Sequence, residues 1–291
     1  MNIACDMDVI FHGNISQSAE ECEKQIVALC ESGFKSFNFS FFGNAESPLL
    51  QDDWENYFYN LRNILEKYGA RLPIAHSSVA QNGDKLNDFQ HEMKMRTIKG
   101  CEILGIEWLV SHPKDIEGKY DKEHLKKLKS FNYDFYSRYI EALEKNNTGI
   151  AIETMTNAIK REWKCGKRLY ADNPYDLIEL VDSINSDRIG ICLDTGHVNT
   201  CNTIELSEVV RAFGKRLKAL HVHDNNGISD EHLLPYMGNI DWKELVHALR
   251  DIDYKGDFTF EASKIPVMFP TELRVSFLKF KYELAKFIVN L

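Results

Sequence analysis

Short apolar runs recur along this chain at intervals of about one strand plus one helix. The clearest runs read LPIAH, EWLVSH, GIAIE, IGICLD, ALHVH and FTFE, and 29 to 41 residues separate the ends of consecutive runs. Polar segments with apolar residues at helical spacing lie between them, and one more such segment, with Leu273, Phe277 and Phe280, follows the last run. Strands that alternate with helices at this pitch form a parallel sheet.

The pattern predicts eight strand–helix pairs with no linker and no low-complexity segment. Six strands end at the runs quoted above, and two earlier strands are expected at about 2–10 and 36–42. Helices are expected near 18–32, 54–69, 85–104, 122–146, 172–186 and 242–250, and from about 203 and 271 onward. The sequence therefore predicts an α/β fold, a single-domain (β/α)8 TIM barrel over residues 1–291.

Each of the six runs ends in a residue that can bind a metal ion. These residues are His76, His112, Glu153, Asp194, His223 and Glu261. The C-terminal ends of the strands of a parallel barrel meet at one rim, where barrel enzymes carry their active sites. Three carboxylates crowded together there would repel each other, and a divalent cation is the simplest partner that keeps all of them ionised. The sequence thus predicts a metal site at this rim.

Neighbouring residues enlarge the candidate site. His197 lies in the turn DTGH, and Asp230 and His232 form an Asp-x-His pair in the loop after the seventh strand. His221 lies two residues before His223, so both face the same side of a strand. We expect His223 to be the ligand because it lies nearer the end of the strand. His221 would then contact the substrate or support a ligand.

Charge restricts the classes of partner. The chain has 35 basic and 44 acidic residues, a formal net charge of −9, which disfavours broad binding of nucleic acid. Residues 160–168 nevertheless carry five positive charges, and this segment is either a solvated loop or a clamp for a phosphate or carboxylate. Lys160 and Arg161 in this segment, and Lys264 after the last strand, are candidates for substrate binding.

Cysteine usage and apolar stretches indicate the compartment. Seven cysteines without a CxxC pair are typical of free thiols in a reducing cytoplasm. No apolar stretch approaches the roughly 20 residues that a membrane span requires, and the N-terminus lacks the basic region of a signal peptide. We expect a cytoplasmic protein with no membrane partner, and the sequence leaves open whether it forms a homo-oligomer.

The motifs LDTGH, HVHDN and SDEHLLP, with the strand ends AIE and FEAS, resemble the xylose isomerase-like TIM barrels. This superfamily joins sugar isomerases and epimerases to endonuclease IV, and the resemblance covers essentially the whole chain. In its ketose 3-epimerases, the ligands of a single metal match Glu153, Asp194, His223 and Glu261. The resemblance implies that the two glutamates also act as acid and base around a metal-stabilised enediolate, with His197 contacting the substrate.

The chain departs from those epimerases in one respect, because residues 224–229 contain no arginine where they carry one after the metal histidine. Endonuclease IV resembles the chain here, and it holds three zinc ions. Its ligand pattern is matched at nine positions, which are His76, His112, Glu153, Asp194, His197, His223, Asp230, His232 and Glu261. The resemblance therefore also implies hydrolysis of phosphodiesters as an alternative.

The leading interpretation is an isomerase or epimerase of sugars or sugar phosphates that depends on one to three divalent ions, zinc or manganese. The alternatives are an apurinic-site endonuclease, a keto-polyol dehydratase with similar metal–enolate chemistry, and a barrel that binds metal without turnover. The expected partner is a small-molecule sugar or sugar phosphate. Nucleic acid is disfavoured because the sequence shows no evident set of basic and intercalating loops near the rim.

Overall fold

The computed structural model describes residues 1–7, 19–41, 47–77, 88–116, 118, 121–156, 170–201, 204–262 and 269–291. At its centre is one eight-stranded parallel sheet. Its strands are β1 (Ile3–Asp6), β2 (Ser36–Ser40), β3 (Arg71–His76), β4 (Trp108–Ser111), β5 (Gly149–Glu153), β6 (Ile189–Asp194), β7 (Leu217–His221) and β8 (Phe258–Phe260).

The sheet closes into a barrel. Up to β7, each strand pairs with the next along the chain, and β1 also pairs with β8. The remaining gap is bridged just beyond β7, where the Val222 amide donates to the Thr259 carbonyl at 2.8 Å and the Glu261 amide donates to the Val222 carbonyl at 3.0 Å. The predicted (β/α)8 barrel is therefore confirmed.

Helices alternate with the strands around the barrel. In the described ranges they are α1 (Ala19–Glu31), α2 (Trp54–Tyr68), α3 (Asp88–Leu104), α4 (Lys122–Ser137), α5 (Ile140–Lys145), α6 (Tyr175–Ile184), α7 (Thr195–Asn199), α8 (Leu206–Phe213), α9 (Trp242–Asp251) and α10 (Thr271–Val289). The single helix expected over 122–146 is divided into α4 and α5 by a turn at Arg138 and Tyr139. None of these helices is long and apolar enough to span a membrane.

Small side chains fill the barrel interior beneath the rim. The interior cluster consists of Ile74, Val110, Ala151, Cys192 and Ala219. Alternate residues of a strand point to the same face, so the residue two positions further along each strand also faces the barrel axis. Those residues are His76, His112, Glu153, Asp194 and His221. The strand alternation that packs the interior therefore places imidazoles and carboxylates at the C-terminal rim.

Asp257 joins four strands at the opposite, N-terminal end of the barrel. This buried carboxylate, just before β8, accepts hydrogen bonds from Ser36 Oγ at 2.5 Å, from Arg71 Nη2 at 2.5 and 2.7 Å, and from Asn2 Nδ2 at 3.3 Å. Ser36 and Arg71 begin β2 and β3, and Asn2 precedes β1. Asp257 therefore contributes to the closure of the barrel.

We predict that Asp257→Asn lowers the free energy of unfolding by about 1–3 kcal/mol, because a charged acceptor of several hydrogen bonds is lost from a buried position. Asp253→Asn is the matched control, since the Asp253 side chain pairs with Lys255 at an exposed site and its loss should change stability by less than about 0.5 kcal/mol. Urea denaturation of the two variants measures the difference. Equal effects would contradict a role of Asp257 in closing the barrel.

Candidate metal centre

The rim brings the ligand-type side chains together in groups whose ligand atoms lie within 4.8 Å of one another. The first group is His76, His112 and Glu153, and the second is Glu153, Asp194, His221 and Glu261. Further groups join Asp194 to His197 and His223, and His223 to His232 and Glu261. Glu153 belongs to both the first and the second group.

In the first group, three acceptor atoms converge. His76 Nε2 and His112 Nε2 lie 3.4 and 3.0 Å from Glu153 Oε2 and 3.2 Å from each other. His76 Nδ1 lies 3.0 Å from the Ser77 carbonyl, which can only accept, so Nδ1 carries the hydrogen and Nε2 is left as the ligand atom. The Tyr136 hydroxyl donates to the His112 carbonyl at 2.8 Å and holds that segment in place.

In the second group, His221 lies between two carboxylates. Its Nδ1 is 3.0 Å from Glu153 Oε1 and 3.2 Å from Glu261 Oε2. Glu153 therefore directs one oxygen toward His221 and the other toward His76 and His112. Asp194 completes the group and also caps α7, because its Oδ1 accepts the His197 amide at 2.7 Å.

The third set of side chains surrounds Asp230. His197 Nε2 lies 3.6 Å from Asp230 Oδ2, and His232 Nε2 lies 3.3 Å from the same oxygen. The Nδ1 atoms of both histidines donate to backbone carbonyls, of Thr154 at 2.7 Å and of Glu261 at 3.0 Å. As with His76, the carbonyl selects the tautomer and leaves Nε2 facing the centre.

Asp224 fixes the loop that carries Asp230 and His232. This fully buried carboxylate accepts from the amides of Asn225, Tyr236 and Ile240 and from Trp242 Nε1, at 2.9 to 3.3 Å. This role of Asp224 was not predicted from the sequence, although the aspartate directly after HVH was a usable signal. Two further buried polar residues were not predicted either, Asp6 at the end of β1 and Asn38 within β2, where Asn38 Nδ2 donates to Asp6 Oδ1 at 3.1 Å.

The donor set fits divalent metal ions. Among the described residues, five buried polar atoms of the centre lack a hydrogen bond, namely Glu153 Oε2, His221 Nε2, His223 Nδ1, Asp230 Oδ1 and Glu261 Oε2. Buried polar atoms are rarely left unsatisfied without a reason such as an ion. The spacing of 3.0–3.4 Å in the first group also resembles the edge, roughly 3.3 Å, of a tetrahedron with zinc–nitrogen bonds of ~2.0–2.1 Å.

Protons and metal ions compete for this centre. Burial disfavours charged imidazoles, but Asp194 and Asp230 raise the pKa of His197 to about 10, and Asp230 raises the pKa of His232 to about 9. Burial likewise opposes ionisation of Glu153, yet His221 and His112 hold its pKa well below its ordinary value. The carboxylates that stabilise these protons would stabilise a divalent cation at the same positions.

All nine candidate ligands from the sequence lie in this centre, where His221 and His223 belong to different groups. His221, which we expected to contact the substrate or support a ligand, stands with Glu153, Asp194 and Glu261 in the four-residue group. His223 instead meets Asp194 at 2.9 Å and stacks on His232. The substrate-binding candidates Lys160, Arg161 and Lys264 lie outside the described residues. The ligand assignments remain predictions until metal is measured.

Comparisons with known proteins place the chain among barrels of this type. A family model described as "Xylose isomerase-like TIM barrel" matches residues 26–277. A solved structure titled "Crystal structure of D-tagatose 3-epimerase-like protein" superposes with a TM-score of 0.73 and 22% identity, covering 100% of this chain and 98% of that one. At that identity the superposition establishes the fold.

Three curated proteins illustrate the range of relatives. An uncharacterized protein of Methanocaldococcus jannaschii is 28% identical over 211 residues, 72% of this chain and 69% of that protein. A D-psicose 3-epimerase of Enterocloster bolteae is 37% identical over 86 residues, but only 30% of this chain and 27% of that protein. A probable endonuclease 4 of Mycoplasma capricolum is 26% identical over 246 residues, 76% of this chain and 78% of that protein.

We predict that protein reconstituted with zinc contains more than one ion per chain. Glu153→Gln should lower the zinc content by more than one ion, because Glu153 serves two groups of ligands. His232→Ala should lower it by one ion or less, because His232 lies at the far side of the centre. Elemental analysis after removal of free metal gives these counts.

Glu123→Gln on α4 is the control, since its side chain is exposed and should leave the zinc content unchanged. Failure of the reconstituted wild type to retain any divalent ion would refute the metal centre. Equal losses in Glu153→Gln and His232→Ala would refute the shared role of Glu153.

Proposed function

The chain belongs to the xylose isomerase-like TIM barrel family, and we propose that it is a metal-dependent hydrolase of phosphate esters with a multinuclear centre. One observation carries the proposal, which is the division of the Glu153 carboxylate between two groups of ligands. Its Oε2 faces His76 and His112, and its Oε1 faces His221. Glu153 would thus help to hold an ion in each of the two groups.

The directions of the two Glu153 oxygens argue against the role that the resemblance to epimerases implied for this residue. A residue that removes a proton from carbon needs an oxygen lone pair directed at the substrate. Both oxygens of Glu153 are directed at imidazoles, and its side chain is only 2% exposed. When bound, a pair of divalent ions supplies an activated water and stabilises the attacking and leaving oxygens of an in-line displacement at phosphorus.

Hydrogen bonds within the chain orient the ligand-type side chains without the help of an ion. Backbone carbonyls accept hydrogen bonds from Nδ1 of His76, His197 and His232. Each imidazole is therefore held in the tautomer that leaves Nε2 available as a ligand atom. Asp194 is held by α7, and the loop around Asp230 is held by Asp224. Such preorganisation lowers the entropic cost of assembling several ligands around one ion.

Exposure is uneven among the described ligand-type side chains of the centre. Those of His112, His76 and Glu261 are 35%, 23% and 21% exposed, whereas Asp194 and His223 are fully buried. We infer that substrate and water reach the centre beside His112, His76 and Glu261. The similarity to a probable endonuclease 4 spans most of both chains and supports hydrolytic chemistry, with a phosphate ester as the class of substrate.

A sugar or sugar-phosphate isomerase or epimerase is the second candidate. It is favoured by the way Glu153 Oε1 and Glu261 Oε2 flank His221 at 3.0 and 3.2 Å. With Asp194, these residues form a complete ligand set for one ion, with two carboxylates available as acid and base. A keto-polyol dehydratase would use the same set. The similarity to D-psicose 3-epimerase covers 27% of that protein.

Two assays on the zinc- and manganese-loaded enzyme separate the candidates. The first measures cleavage of bis(p-nitrophenyl) phosphate, of sugar phosphates and of a duplex with an abasic site. The second measures incorporation of solvent deuterium into ketoses and ketose phosphates. For a hydrolase we expect phosphate-ester cleavage, and a loss of at least about 100-fold in kcat/KM in both Glu153→Gln and His232→Ala.

The epimerase candidate predicts a different result. His232 is not part of the single-ion set, so His232→Ala would retain most activity, whereas Glu261→Gln would abolish deuterium exchange. Deuterium incorporation without cleavage of any phosphate ester would overturn the hydrolase proposal. Glu123→Gln again serves as the control and should keep wild-type kcat/KM in either assay.

A further inference from the structure

Two lysines lie near the ends of β3 and β4, close in sequence or space to His76 and His112 of the first group. Lys94 on α3 is only 7% exposed, and its Nζ donates to Ser77 Oγ at 2.5 Å. Ser77 directly follows His76. Lys114 lies two residues after His112 and is half-buried, with its Nζ 4.9 Å from the centre of the Phe135 ring. The Lys94 ammonium group therefore lies at the end of β3, and Lys114 follows the end of β4.

These strand ends are adjacent in the barrel. The Ser77 amide donates to the Val110 carbonyl at 2.8 Å, which continues the β3–β4 pairing past the last strand residue. His76 and His112, the most exposed imidazoles of the first group, lie on the same two strands. The two lysines therefore lie near the strand ends that carry these two imidazoles.

No carboxylate balances the two cations within the described part of the chain. Neither lysine forms an ion pair there, and the only polar side-chain partner of Lys94 is the neutral Ser77 hydroxyl. Burial lowers the pKa of Lys94 to about 7, and the nearby charge of Lys114 acts in the same direction. Two ammonium groups close together in a dry environment are costly unless an anion joins them.

We propose that Lys94 and Lys114 bind a phosphate group of the substrate at a subsite beside the His76–His112 group. Under the hydrolase function proposed above, on which this inference rests, that phosphate is a second one and not the group that is hydrolysed. The subsite would thus select substrates with at least two phosphates. They belong to a phosphorylated sugar or to the backbone of a nucleic acid.

Calorimetric titration of the zinc-loaded protein with inorganic phosphate and with sulfate tests the subsite. Lys94→Met and Lys114→Met should each weaken anion binding by about tenfold or more, because a charge-assisted contact is lost. Lys126→Met is the matched control on the exposed face of α4 and should bind as the wild type does. Unchanged affinity in both Lys94→Met and Lys114→Met would overturn the proposal.

Thermal stability separates a binding role of Lys94 from a structural one. Methionine has nearly the length of lysine without the charge, so Lys94→Met should unfold at a higher temperature than the wild type. Sulfate should raise the unfolding temperature of the wild type but not that of Lys94→Met. A less stable Lys94→Met whose unfolding temperature still rises with sulfate would assign Lys94 a structural role and overturn the proposal.

Glu153→Gln distinguishes failure of this inference from failure of the proposed function. That variant should lose hydrolysis and still bind sulfate, because its lysines are untouched. Binding of ribose 1,5-bisphosphate and of an abasic duplex by Lys94→Met then identifies the source of the phosphate. Weaker binding of the sugar phosphate alone indicates a small substrate, and weaker binding of the duplex alone indicates nucleic acid. Wild-type binding of both would overturn the subsite.

Discussion

The arrangement of the whole rim depends on a concentration of carboxylates in a place that excludes water. Closure of the barrel brings Glu153, Asp194 and Glu261 together above a layer of small side chains. A desolvated carboxylate remains ionised only if a cation compensates it. A stable cation site there needs ligands that are held in place. The fixed tautomers of the surrounding imidazoles and the loop held by the buried Asp224 meet this need. The closed barrel thus serves as a scaffold that holds these carboxylates close together.

The gathering of ligand-type side chains at the rim could be predicted from the sequence because two simple rules act together there. Strand alternation places every second residue inside the barrel, and the end of a parallel strand marks the rim. Glu153 and Asp194 satisfy both rules within apolar runs. The distribution of ligands among groups could not be predicted, because it depends on where each strand stops. The seventh strand ends at His221, Val222 bridges to β8, and His223 therefore lies beyond the four-residue group.

The roles of Lys94 and of the loop residue Asp224 could not be predicted from the sequence, for a different physical reason. Lys94 lies in a helix of mixed polarity, where a lysine ordinarily extends into solvent. Lys94 is buried because α3 lies near the end of β3, where its ammonium group donates to Ser77 Oγ. Asp224 follows a recognisable motif, yet its partners are as many as 18 residues away in the chain. Such contacts depend on tertiary packing and leave no periodic pattern.

Charge balance indicates which part of the centre determines the class of reaction. Asp230 can be neutralised by protons on His197, whose pKa Asp194 and Asp230 raise to about 10, and on His232, whose pKa Asp230 raises to about 9. That set is therefore compatible with a single ion elsewhere in the centre. The four-residue group around His221 serves one ion in either class of enzyme. The first group is superfluous for a single ion, because Glu153 is the carboxylate that His76 and His112 meet there among the described residues. The pair of imidazoles at Glu153 Oε2, which divides this carboxylate between two groups of ligands, is thus the feature that favours hydrolysis over isomerisation.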